Sequence, residues 1–176
     1  FRLGQLDRSD EAIVVYDELI ERSSGDKEPR VRVQVARAFV SKGFRLGQLD
    51  RSEKEIAAYD ELIERSSDDE EPGVRVRVAM AFVNKGVTLG QQDRSAEEIK
   101  VYDELIKRSS DDEEPGVRVR VSMAFRNKGF RLGALDRSEE AIAVYDELIE
   151  RSSDDEEPGV RVQVAGAFVS KGVRFG

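Results

Sequence analysis

Apolar residues fall at helical steps through most of the chain. Over residues 74–91, Val74, Val78, Phe82, Gly86 and Leu89 form one row, and Val76, Met80, Val83 and Val87 form a second, about 100° round the same cylinder. The opening V-R-V-R-V of this stretch alternates as a half-buried strand does, but the alternation stops at Ala79 while the helical rows run on. The spacing predicts a helix of about 18 residues, about 27 Å long. Its polar side is Arg77, Asn84, Thr88 and Gln91. Apolar on two rows, this helix needs contact from two sides. A shorter pattern over 96–109 places Ile99, Tyr102, Leu105 and Ile106 on one face and turns Glu97, Lys100, Asp103, Glu104 and Lys107 to water.

The same pair of patterns returns along the whole chain. The motif Y-D-E-L-I begins at Tyr16, Tyr59, Tyr102 and Tyr145, 43 residues apart. Gly43, Gly86, Gly129 and Gly172 keep the same step, as do Pro29, Pro72, Pro115 and Pro158. A fixed period of this size marks a solenoid or a propeller, and the helical periodicity selects an all-α solenoid. Each unit reads as a long helix A, a short turn, helix B and an acidic loop. The expected layout is one array over 1–176, with repeats 1–43, 44–86, 87–129 and 130–172 and a partial unit 173–176. The chain opens with FRLG and closes with VRFG in the same phase, and no polar capping repeat is visible. It therefore reads as a window of a longer array.

Local signals place the ends of the helices. Pro72 suits the first turn of a helix, where its missing N–H costs nothing, and the carboxylates before it lie near the positive end of the helix dipole. Gln92-Asp93-Arg94 is a short turn. Ser95 with Glu98, and Ser52 with Glu55, fit the capping-box spacing. Ala12 and Ala141 take the third position in the outer copies, so Ser9 and Ser138 are expected to cap without the reciprocal bond.

Composition narrows the chemistry. A net charge of −8 argues against nucleic acid as a partner. Without cysteine there is no disulfide framework or thiolate site, and without histidine the commonest general base and metal ligand is missing. No cofactor and no metal is expected. No apolar run approaches the length of a membrane span, so no membrane partner is expected. The lack of cysteine fits the cytosol and is compatible with an exported filament, and the compartment stays open. The D-D-E-E loops at 68–71, 111–114 and 154–157 form a negative ridge that is suited to steering a basic partner or collecting cations. They lack the ligand alternation and central glycine of a calcium loop, so a solvated, helix-capping role is expected. The carboxylates recur with the repeat whereas a catalytic site is single, so no enzyme is expected. G-V-T-L-G and F-R-L-G are not phosphate loops, because no G-K-[ST] follows them. The pairs Ser66-Ser67, Ser109-Ser110 and Ser152-Ser153 precede acidic residues, as acid-directed kinase sites do.

In its spacing the unit resembles the tetratricopeptide repeat, in a form longer than that family's 34 residues. The family's early aromatic is matched by Phe39, Phe82, Phe125 and Phe168, followed four residues on by the glycine set above. The large apolar residue is matched by Leu3, Leu46, Leu89, Leu132 and finally Phe175, the helix B aromatic by the four tyrosines, and its small residue by Ala12 and Ala141. Glu55 and Glu98 depart at the small position, which predicts looser packing there. Asp7, Asp50, Asp93 and Asp136 stand where the family's turn often has glycine, and Leu19, Leu62, Leu105 and Leu148 where it often has alanine.

The resemblance implies a right-handed α-solenoid of stacked antiparallel helix pairs that binds a protein or peptide on a concave face lined by the A helices. The positions carried over are Arg37, Val40, Phe44 and Gln48; Met80, Val83, Val87 and Gln91; Met123, Arg126, Phe130 and Ala134; and Val169 and Val173. These coincide with the second apolar row, which reads either as a groove or as core between neighbouring A helices. The alternative function is structural: near-identical units stacking head to tail, chain on chain, into a spacer or filament.

Overall fold

Four of the helices start where a proline supplies a ready-made φ and gives up no hydrogen bond. The computed structural model describes residues 2–23, 25–66 and 68–174, with the side chains of residues 2–7 excepted. Its elements are α1 (Arg2–Ser23), α2 (Pro29–Gln48), α3 (Ser52–Ser66), α4 (Pro72–Gln91), α5 (Ser95–Ser109), α6 (Pro115–Ala134), α7 (Ser138–Ser152) and α8 (Pro158–Arg174). No strand occurs among the described residues, and the V-R-V-R-V stretch is helical throughout. The chain is an all-α protein of repeated helix pairs, in which α1 to α3 and α5 to α8 pack successively, consistent with an α-solenoid.

Contacts divide the chain into two compact units, Phe1–Thr88 and Leu89–Gly176. In the first, a Cβ on Gly43 of α2 would touch Tyr59 of α3, and one on Gly47 would touch Glu55. Four residues up one helix match four down the other, which is the register of an antiparallel pair. Asn84 and Lys85 of α4 then reach Tyr59 and Asp60 of α3. The second unit repeats the scheme with Gly129 of α6 against Tyr145 of α7. Helices of the same kind lie directly side by side: Gly73 abuts Val33, and Gly159 abuts Val119.

The turn from A to B uses a left-handed residue. Asp50, Asp93 and Asp136 have φ of 56–58°. At the first of them Asp50 N–H donates to the Gly47 carbonyl and Arg51 N–H to that of Leu46, the paired bonds of a Schellman motif. Aspartate adopts this conformation more readily than most residues, and glycine most readily of all. In the first copy this turn is absent, and α1 runs unbroken through Asp7, Arg8 and Ser9. Ser9 therefore does not cap.

The predicted capping boxes do not form either. Ser52, Ser95 and Ser138 are the first helical residues rather than caps, and Arg94 and Arg137 precede α5 and α7 without a capping side-chain bond. Those arginines clamp Glu97 and Glu140 instead, at 2.6–2.7 Å. Glu98 is drawn into the interior. The one-sided face of α5 is Glu98, Val101, Tyr102 and Leu105, with Ile99 and Ile106 only half-buried.

Candidate functional site

The A helices present their second row in graded fashion. Val40 and Val83 are buried and cannot touch a ligand; they support the row from beneath. Met80, Met123 and Arg126 are half-buried, and the aliphatic part of Arg126 lies over Gly166 of α8. Arg37, Gln48, Gln91 and Ala134 are exposed. One apolar position is open to solvent wherever it falls among the described residues: Phe44 (55%), Val87 (41%), Phe130 (61%) and Val173 (71%). Val169 is exposed as well. The choice between groove and core is thus divided along the helix, with core at Val40 and Val83 and surface one turn later. Leu3, at the side-chain level, and Phe175 lie outside the described residues.

Each unit also holds a buried polar contact that local patterns in the sequence do not disclose. Glu98 of α5 is buried and paired with Arg131 Nε of α6, whose Nη2 also donates to the Gly90 carbonyl at 3.2 Å. A Cβ on Gly90 would lie 2.6 Å from both Arg131 Nη2 and Glu98 Oε2, so the glycine makes room for the pair. The looser packing expected at Glu55 and Glu98 is not found; both carboxylates press against a glycine. Burial pushes Glu98 above the usual carboxylate range, and Arg131 offsets this only in part.

Tyrosine hydroxyls take part in the polar contact of each unit. Tyr59 donates to Glu55 at 3.1 Å and accepts from Asn84 at 3.5 Å. Tyr102 bonds Glu98 and accepts from Asn127 at 3.4 Å. Burial, foremost, raises both phenols well above their ordinary value. In the last copy Ala141 replaces the glutamate and Ser170 replaces the asparagine. The Tyr145 hydroxyl is accordingly left buried without a hydrogen-bond partner, and so is Nε of Arg174, which keeps only its bond to the Gly133 carbonyl. The signal was present in the sequence as a glutamate and an arginine or threonine 33 residues apart, a spacing that local pattern rules do not inspect.

Charges on the outer edges are structural. Lys42, Lys85, Lys128 and Lys171 each pair with the aspartate 25 residues earlier. Arg32 forks onto Asp69 at 2.8 and 3.2 Å, and Arg118 onto Asp155 at 2.8 and 3.3 Å. The same aspartates accept the Glu71 and Glu157 amides, at 2.9 and 2.8 Å, and so cap the next A helix. Arg118 first, with the amide, holds Asp155 below the usual range against its partial burial. One carboxylate of each D-D-E-E loop thus bonds the backbone ahead of the next helix, and no cluster among the described residues is placed to hold a metal ion. No described helix is long and apolar enough to cross a membrane. Of the serine pairs, Ser67 lies outside the described residues, and Ser110 donates to the Ile106 carbonyl at 2.6 Å.

Comparison with protein-family models and with curated proteins finds no match.

Proposed function

We propose that the chain is a non-enzymatic scaffold that binds a protein or peptide segment along its A helices. The observation that carries this reading is the recurrent exposed apolar position, Phe44, Val87, Phe130 and Val173, in a chain whose other large apolar side chains on these helices are mostly buried. A folded protein loses by leaving aromatic area in water at a position set by its own period, and an apolar face of a partner recovers that area. Neighbouring positions vary between copies, Arg37, Met80, Met123 and Gly166 on one side and Gln48, Gln91 and Ala134 on the other, which supplies the differences a reader of one ligand requires. An amphipathic helix with apolar residues three and four apart fits such a surface.

The test is selection of binders from a displayed library of amphipathic peptides, followed by titration against the chain carrying Phe44→Glu, Val87→Glu and Phe130→Glu. These side chains are exposed, so helicity and melting are expected to persist while binding is lost. Peptides that bind both forms equally overturn the reading.

A further inference from the structure

We infer that the segment held along the A helices is acidic, and that Arg126 of α6 pairs with one of its side-chain carboxylates. This rests on the scaffold reading and adds the chemistry of the partner to it.

Charge is segregated within the repeat. None of the A helices, α2, α4, α6 and α8, contains an aspartate or a glutamate, although the whole chain carries a net charge of −8. The carboxylates lie on the B helices and in the turns and loops. Most basic side chains of α6 that border this acid are engaged by it. Arg118 forks onto Asp155, Lys128 pairs with Asp103, and Arg131 pairs with Glu98. Arg126 is different: among the described residues it makes no hydrogen bond and no ion pair.

The place of Arg126 in the fold sets it apart from an ordinary surface arginine. It stands where Val40 and Val83 are buried, and it is itself half-buried. The neighbouring helix makes room for it. Gly166 of α8 stands where earlier copies have Arg37, Met80 and Met123, and a Cβ there would lie 3.1 Å from Arg126 Cδ and 3.2 Å from Nη1. Valine has become arginine on one helix, and a large side chain has become glycine on the next. The stem of Arg126 is thereby packed, so part of its side-chain entropy is already lost on folding and not on binding. A half-buried guanidinium has given up water without gaining an acceptor, and a charge-assisted bond to a carboxylate makes good that loss. Phe130, the exposed apolar position of this copy, follows Arg126 by four residues, so the two lie on one face of α6. A partner helix that lays an apolar side chain on Phe130 brings an acidic residue three or four positions away to Arg126. No carboxylate of α6 or α8 competes for it, and salt confines repulsion to charges within about 10 Å.

Anisotropy titration of peptides selected from the amphipathic library tests this. All carry an amidated C-terminus, so that only side chains offer carboxylates. Binders are expected to hold an acidic residue three or four positions from an apolar one. Replacing that acid by its amide is expected to weaken binding about tenfold. Arg126→Val is expected to weaken the acidic peptide equally and to leave the amide peptide unchanged, which isolates the pair. Valine fills this position in other copies, so helicity and melting are expected to persist. The difference between the two peptides is expected to shrink as salt rises. Binders that are lost with Phe130→Glu but ignore both Arg126→Val and the acid-to-amide exchange overturn this inference and leave the scaffold reading standing. Binders that also ignore Phe130→Glu, or a library without binders, overturn both. A single-stranded oligonucleotide that displaces the acidic peptides and itself depends on Arg126 overturns the acidic segment, because phosphate is then the ligand.

Discussion

Gly129 of α6 and Tyr145 of α7 occupy one another's space: a Cβ on the glycine would lie 2.5 Å from Cε1 of the ring. Alanine at Gly129 must displace a fully buried tyrosine, and overpacking of this kind costs about 1–3 kcal/mol. At Gly172 the same substitution meets nothing, and the helix gains about 0.8–1 kcal/mol from the better helix former. Urea denaturation at low protein concentration is expected to give opposite signs for Gly129→Ala and Gly172→Ala, although both residues fill the same place in the repeat.

The Glu98–Arg131 pair allows an internal transplant. Glu98→Ala takes the carboxylate from a half-buried guanidinium and from the Tyr102 hydroxyl, and its cost is expected below the roughly 3–5 kcal/mol of breaking a fully buried pair, since Arg131 keeps the Gly90 carbonyl. Ala141→Glu does the reverse, offering a carboxylate to Arg174 Nε and to the Tyr145 hydroxyl, both now without partners. A buried unsatisfied group costs about 1–3 kcal/mol, so Ala141→Glu is expected to stabilise the last repeat by about 1 kcal/mol. Chemical denaturation of the two variants measures both.

The left-handed aspartates give a third expectation. Replacing Asp50, Asp93 and Asp136 by glycine relieves the left-handed backbone cost, about 1 kcal/mol at each site. The sites lie in separate turns, so their effects are expected to add. A melting series of single, double and triple variants checks this.

Stability is expected to depend on pH with two limbs. Burial raises Glu55 above the ordinary glutamate range, although its bonds to Tyr59 and Thr88 pull the other way. A raised folded-state pKa means that folding takes up a proton. Its contribution is complete below the unfolded value of about 4.3 and is lost as pH rises through the folded value. Asp155 has the opposite sign: its contribution is present above about 3.9 and is lost as pH falls through its lowered folded value. Melting temperature is therefore expected to rise as neutral solutions are mildly acidified and to fall in stronger acid. Glu55→Gln should lessen the first slope, leave the second, and keep a remainder due to the net charge of −8. Equal first slopes with and without Glu55 would contradict this.

The period was legible because it repeats in three independent residue types, and the start of each A helix because proline can occupy few other places. Burial of the first apolar row, Val74, Val78, Phe82 and Leu89, also followed from spacing alone. The capping boxes did not. Serine with glutamate three residues on satisfies the local rule, but Glu98 has a stronger partner in Arg131, which belongs to the next unit. The candidate surface was legible as a row but not as a gradient, because exposure one turn beyond Val40 depends on where the neighbouring A helix ends its contact.

Among the described residues, the farthest-reaching hydrogen bonds join positions 41 apart, as Arg51 does with Asp10, and Arg131 with the Gly90 carbonyl. Each is shorter than one repeat. Excising or duplicating a whole 43-residue block inside the array would therefore leave every junction with a familiar neighbour on either side. Copy number can vary in inheritance without a new fold having to be found, and folding can nucleate in any block and spread outward.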